Sequence, residues 1–292
     1  MQRSQLVNVW IFAAVLACAS ANARQDNPGQ LLFVSDRDGQ WDIYSVGTNG
    51  ENIRQLTRDS GRNMDPVWSP DGSHIAFCAD RIGNTDIYVM QADGSDVERL
   101  TTEPARDSRP AWSPDGSRIA FTSDRDGGAA IYVMNADGSA IARITDPSDG
   151  NHNPAWSPDG RRIVFESQRD GDAEIFVIDA GGGNEVRLTA NDSDDQHPAW
   201  SPDGRRIVYN GECGGGETSF DICIMDADGS NIRQVTNAPG LEEYPEWSPD
   251  GTRIAFTIGN AALFIMDADG SNLQRVTEDH FFTAGGAWRP AP

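Results

Sequence analysis

The chain has 292 residues, with 23 basic against 45 acidic side chains and a formal net charge of −22. Every basic residue is arginine, and the acidic excess repels phosphate backbones, which excludes nucleic acid as an expected partner. Beyond residue 23 no stretch reaches the unbroken apolar length of a membrane span.

The first segment stands apart. Arg3 is its only charge, an apolar run extends from Val7 to Cys18 broken at Asn8, and Ala21-Asn22-Ala23 follows. A charged start, an apolar stretch and a small-residue cleavage signal predict a secretory signal peptide over residues 1–23 and a short linker over 24–30. The expected location is therefore the periplasm or the exterior. Val15-Leu16-Ala17-Cys18 loosely resembles a lipobox, so the alternative is a lipoprotein anchored through Cys18. Cleavage leaves Cys78, Cys213 and Cys223, an odd number of which only Cys213 and Cys223 are close in sequence. A disulfide between these two and a pair of free thiols both remain open.

From residue 31 onward the chain repeats. Trp68, Trp112, Trp156, Trp200, Trp247 and Trp288 are spaced 44, 44, 44, 47 and 41 residues apart, and five of them begin W-S-P-D-G. The unit at Trp112 shows the order of signals. Ser113-Pro114-Asp115-Gly116 is a turn, and Arg118-Ile119-Ala120-Phe121-Thr122 alternates as a strand does. Ser123-Asp124-Arg125-Asp126-Gly127 is a second turn before the strand Ala130-Ile131-Tyr132-Val133-Met134. An Asp137-Gly138 hairpin leads to Ile141-Ala142-Arg143-Ile144-Thr145, and a polar loop then opens the next unit at Pro154-Ala155-Trp156. Four strands per unit of this length, with no helical period, predict an all-β six-bladed propeller over residues 31–290. The first unit lacks its tryptophan strand and the last segment, Ala287-Trp288-Arg289, is such a strand alone. The C-terminal strand is thus expected to complete the first blade and close the ring, protecting the sheet edges.

The string W-S-P-D-G-x-x-I-A-F, followed by an I-Y-V-M strand, A-D-G and R-L-T, resembles the TolB-type propeller repeat from Leu31 to Pro290. In that family the propeller is a periplasmic protein-binding platform that contacts a peptidoglycan-associated lipoprotein through one mouth of its channel. The resemblance implies a protein-binding or scaffold module of the cell envelope, with an envelope protein as partner. The sequence departs from TolB in placing only about seven residues, Arg24 to Gln30, between the expected cleavage site and the first strand, where TolB carries a mixed α/β domain. Similar repeats occur in oligogalacturonate lyases, so fold alone does not decide function.

The repeated turns cannot mark a unique site. Asp226-Ala227-Asp228-Gly229 only superficially resembles a calcium loop, because glycine falls at the fourth position. There is no G-x-S-x-G nucleophile elbow. Specificity is expected instead in the loops that vary between units, which lead into each tryptophan strand. Three residues before each tryptophan stand Asp65, Arg109, Asn153, His197, Tyr244 and Gly285; five before stand Asn63, Asp107, Asn151, Asp195, Glu242 and Thr283. Both sets are expected to ring the channel mouth. The expected partner-binding residues are Asp107, Arg109, Asn151, His152, Asp195, His197, Glu242 and Tyr244. No catalytic residue, cofactor or metal is expected, and the chain reads as a monomer. The alternative from a different class is a metal-assisted polysaccharide lyase or hydrolase using His152 and His197.

Overall fold

The computed structural model describes residues 29–58, 61–213, 220–237, 240–278 and 282–290. The expected signal peptide, Cys18, most of the linker and most of the loop between Cys213 and Cys223 lie outside them. Six four-stranded antiparallel sheets form the six blades of a ring. Blade 1 is Thr283–Trp288, Gln30–Ser35, Asp42–Gly47 and Arg54–Gln55. Blades 2 to 6 follow the chain in order, with inner strands Asn63–Trp68, Asp107–Trp112, Asn151–Trp156, Gln196–Trp200 and Glu242–Trp247. The only helix among the described residues is a single 3-10 turn, Pro147–Asp149. Closure is as expected: Thr283–Trp288 pairs antiparallel with Gln30–Ser35, Trp288 opposite Leu31 and Thr283 opposite Ser35.

The repeated residues hold the blades. In each S-P-D-G turn the aspartate accepts from the serine hydroxyl, as Asp115 does from Ser113 at 2.6 Å, and the glycine takes a positive φ, 70° at Gly116. The threonine closing each R-L-T strand accepts the backbone N–H of the third strand; Thr145 Oγ1 lies 2.9 Å from Ile131 N. The apolar clusters form between blades rather than within them. One joins Ala76, Cys78 and Ile87 of blade 2 to Ile119, Phe121, Ala130 and Tyr132 of blade 3. Sheet faces that alternate apolar residues bury both sides this way.

A second repeated element sits at the S-D-R turns. In blade 3 the Arg125 guanidinium lies 5.3 Å from the Phe121 ring and 4.9 Å from the Tyr132 ring, Arg37 and Arg81 likewise sit over two rings in blades 1 and 2, and Arg169 lies 4.2 Å from the Phe176 ring in blade 4. Blade 5 departs from the pattern. Cys213 takes the arginine position and Cys223 the position of Tyr132, opposite Tyr209 in register, and the two cysteines form a disulfide with Cα atoms 6.2 Å apart. A covalent bond thus stands where blades 1 to 4 place a cation over an aromatic ring, and blade 6 carries Asn260 at that position. Cys78 is the remaining described cysteine; it is buried and its thiol donates to Asp65 Oδ2 at 3.2 Å.

Candidate functional site

The inner strands enclose a central channel of about 640 Å³. Each inner strand carries a register shift against its neighbour two to three residues before the tryptophan. At that shift the backbone is left-handed: φ is 51° at Asp65, 56° at Arg109, 52° at Asn153, 52° at His197, 57° at Tyr244 and 78° at Gly285. Five of these are not glycine, a conformation that costs about 1–3 kcal/mol each and is held only where the surroundings over-determine it. The bulge re-aims the side chain, and all six residues line the channel.

Four of the six interlock. Arg109 Nη1 lies 3.0 Å from Asp65 Oδ1, and the Arg109 guanidinium lies 5.1 Å from the Tyr244 ring on a different blade. The His197 ring packs 4.3 Å from the Tyr244 ring and its Nδ1 is 2.9 Å from Asn210 Oδ1. Burial opposes the Arg109 charge, but Asp65 and Tyr244 outweigh it and hold the guanidinium above its ordinary value. Burial and the nearby Arg109 charge push the His197 imidazole down to about 4, so it is neutral at physiological pH. His152 is lowered for the same two reasons. It is half-buried opposite Glu166, whose carboxylate also accepts from His197 N at 3.1 Å. No group of three or more His, Cys, Asp or Glu among the described residues is arranged to hold a metal ion.

The residues five before each tryptophan behave differently. Asp107, Asn151, Asp195 and Glu242 are each 0% exposed, as are Asn63 and Thr283. They therefore do not present themselves at the mouth, as the sequence reading expected. Their backbone N–H groups reach the preceding blade: Asp107 N donates to Thr85 O at 2.8 Å, Asn151 N to Ala129 O at 2.9 Å and Glu242 N to Phe220 O at 3.0 Å. The Asp107 and Asn151 side chains brace their own blade, whereas Glu242 accepts from Thr236 Oγ1 of the preceding blade at 2.9 Å and Asn63 Nδ2 donates to Asp42 Oδ1 of the preceding blade at 3.0 Å. Arg125 is held by both Asp107 carboxylate oxygens, and Arg169 Nη2 donates to Asn151 Oδ1 at 3.2 Å. These positions are blade-to-blade clips.

Other channel residues escaped the sequence reading. Trp41 and Phe282 stack at the rim, ring centres 4.4 Å apart and 4° from parallel, with Arg62 over Trp41 at 5.6 Å. Trp41 is the tryptophan of the repeat region that breaks the spacing, which was the available signal. Glu246 lines the channel one residue before Trp247, where the other units carry Val67, Ala111, Ala155, Ala199 and Ala287. It is solvent-accessible within the lumen, yet the enclosing walls desolvate its carboxyl and push it up to about 7.

A profile of the TolB beta propeller domain matches residues 17–104, 58–153 and 146–220. The chain is 40% identical over 47 residues to the Protein TolB homolog of Chlorobaculum tepidum, and 38% identical over 47 residues to the Tol-Pal system protein TolB of Desulfosudis oleivorans. Each match spans 16% of this chain and only 11% of the relative's length. Among solved structures, TolB from Acinetobacter baumannii superposes with a TM-score of 0.79 at 25% identity, covering 91% of this chain and 68% of that one. An oligogalacturonate lyase in complex with manganese shares the fold at a TM-score of 0.62 and 17% identity, covering 85% of this chain and 74% of that one. With the profile matched from residue 17 to residue 220 and six tryptophan-closed blades in the ring, the chain belongs to the TolB beta propeller domain family.

Proposed function

We propose that this chain is an exported cell-envelope module that binds a protein partner at the variable-loop mouth of its channel, without catalysis. One observation carries the reading. Six inner strands share the bulge and the closing tryptophan, five of them spend backbone strain to aim a side chain at the axis, and the six residues at that position all differ. A scaffold held constant while one ring varies is how recognition is built on a repeat. Of the expected contact residues, Arg109, His197 and Tyr244 reach the lumen. Asp107, Asn151, Asp195 and Glu242 support the ring from within the blades, and His152 lies beside it.

The rim supplies further anchors. Trp41 and Phe282 form a stacked aromatic pair, and Ile82 on the blade 2 hairpin is 65% exposed. Aromatic and arginine side chains dominate interface energetics, and the acidic chain favours a partner presenting Lys or Arg, with association that weakens as salt rises. The relatives named as Tol-Pal system proteins make an envelope partner the first to test. The test is capture from envelope extracts followed by titration. Arg109→Ala with Tyr244→Ala should weaken binding about thirtyfold or more. Asp203→Asn with Asp228→Asn, on the opposite face, should leave it unchanged. The reverse result places the partner on the other face. Stoichiometric manganese or zinc in the purified protein would instead favour polysaccharide chemistry.

A further inference from the structure

The face opposite the variable mouth has its own irregularity. At five of the six blade seams an arginine lies over the ring of a channel-strand tryptophan. Arg118 is 4.5 Å from the Trp156 ring centre, Arg162 is 4.8 Å from Trp200, Arg206 is 4.6 Å from Trp247 and Arg253 is 5.0 Å from Trp288. Arg289 serves the closing seam, 4.8 Å from Trp68. Each of the first four sits six residues after its own blade's tryptophan. In blade 2 that position is His74, and it faces the seam of Trp112.

The consequence is visible in burial and in shape. Trp68, Trp156, Trp200, Trp247 and Trp288 are 3–7% exposed, whereas Trp112 is only partly buried. Beside it opens a pocket of about 710 Å³, lined by His74, Gln91, Trp112, Pro70 and Pro114. The His74 ring does not reach across; its Nδ1 is 2.7 Å from Ser73 Oγ and its Nε2 is 3.3 Å from Gln91 Nε2. Five carboxylates also line the pocket, those of Asp71, Asp96, Glu98, Asp115 and Asp137, and no arginine does. Hydrogen bonds from Ser69 and Ser73 hold Asp71 down to about 2, and Ser113 and Ser117 hold Asp115 down to about 2, so both carry charge at neutral pH.

We propose that this seam is a binding site for the arginine side chain of a partner protein, whose guanidinium stacks on Trp112 as the chain's own arginines stack on the other five tryptophans. The chain itself displays the occupant five times. A guanidinium is the favoured cation because it is flat enough to stack on an aromatic face while its edges donate to carboxylates, which an ammonium does not match. The site lies across the ring from the channel mouth and does not depend on what binds there.

The experiment titrates acetyl-Gly-Arg-Gly-amide into the ¹⁵N-labelled protein and follows the indole signal of Trp112, assigned with Trp112→Phe. The citrulline and lysine counterparts are the controls. Saturable displacement of the Trp112 signal by the arginine peptide, absent with citrulline and weaker with lysine, is expected. His74→Arg should supply the missing intrachain arginine and reduce the affinity about tenfold or more, leaving the other indole signals in place. Asp96→Asn with Glu98→Gln should weaken binding without filling the pocket, and decides the matter should His74→Arg fail to fold. No displacement at Trp112, equal displacement by the citrulline or lysine peptide, or unchanged affinity in the folded variants overturns the proposal.

Discussion

Blade 5 carries a buried carboxylate without its usual cation, and this predicts an unusual pH dependence. In blade 3 both Asp107 oxygens grip Arg125, at 3.0 and 3.1 Å. In blade 5 the arginine position is Cys213, committed to the disulfide with Cys223, so Asp195 keeps a hydrogen bond from Asn191 Nδ2 at 2.9 Å but faces no such arginine. Burial, with the Glu174 charge adding to it, pushes the Asp195 carboxyl up to about 7. The folded state therefore holds this proton more tightly than the unfolded chain, whose carboxyl titrates near the ordinary 3.8. Below that value both states are protonated and Asp195 costs nothing. As pH rises toward 7 the unfolded chain releases the proton first, and stability falls; above 7 the loss is complete. A displacement of about three pH units corresponds to a ceiling of about 4 kcal/mol. Asp195→Asn removes the charge at constant size. Urea unfolding of both proteins should give equal stabilities near pH 4 and a variant advantage that grows to pH 8, up to about 4 kcal/mol. A difference between the two that does not change with pH would refute the reasoning.

Replacing Cys213 and Cys223 with serine opens a bridge of sequence separation 10 and should lower stability by about 3 kcal/mol in chemical denaturation, while reductant should do the same to the parent protein and nothing to the variant. Deleting residues 283–292 removes the strand that closes blade 1, with Trp288 only 7% exposed; the whole ring should lose about 3–5 kcal/mol or more in a single cooperative transition, and an unchanged melting temperature would argue against closure. Arg109→Ala and Tyr244→Ala should be non-additive, with a coupling of about 0.5–2 kcal/mol in a thermal double-mutant cycle, because the guanidinium rests on the ring.

The candidate site was only half legible in the sequence. Residues three and five before each tryptophan differ by two, so a regular strand would send both sets to one face. The bulge between them breaks that period. Arg109 and Tyr244 turn into the channel, while Asp107 and Glu242 turn into the blade and are sealed there. The signal was present in the X-Pro step at Asp65-Pro66, Arg109-Pro110, Asn153-Pro154, His197-Pro198 and Tyr244-Pro245, since proline disfavours the right-handed helical region for the residue before it. The sequence did not say that this residue would turn left-handed rather than stay extended. Trp41 and Phe282 were invisible as a pair because 241 residues separate them and only ring closure brings blade 1 together from both ends of the chain.

By itself the sequence determined the number of blades, the strand order within them and the strand that closes the ring. Those follow from local turn chemistry and from a period that counts itself. Tertiary structure alone decided which side chains meet across the axis, which polar residues become clips between blades, and which seam stands open. An arginine at one blade's edge reaches the tryptophan of the next 38 residues later, as Arg118 reaches Trp156, so a histidine at position 74 changes the surroundings of Trp112 rather than those of its own blade. Such contacts belong to neighbouring repeats, and a reading that aligns each unit with itself does not see the space between two of them.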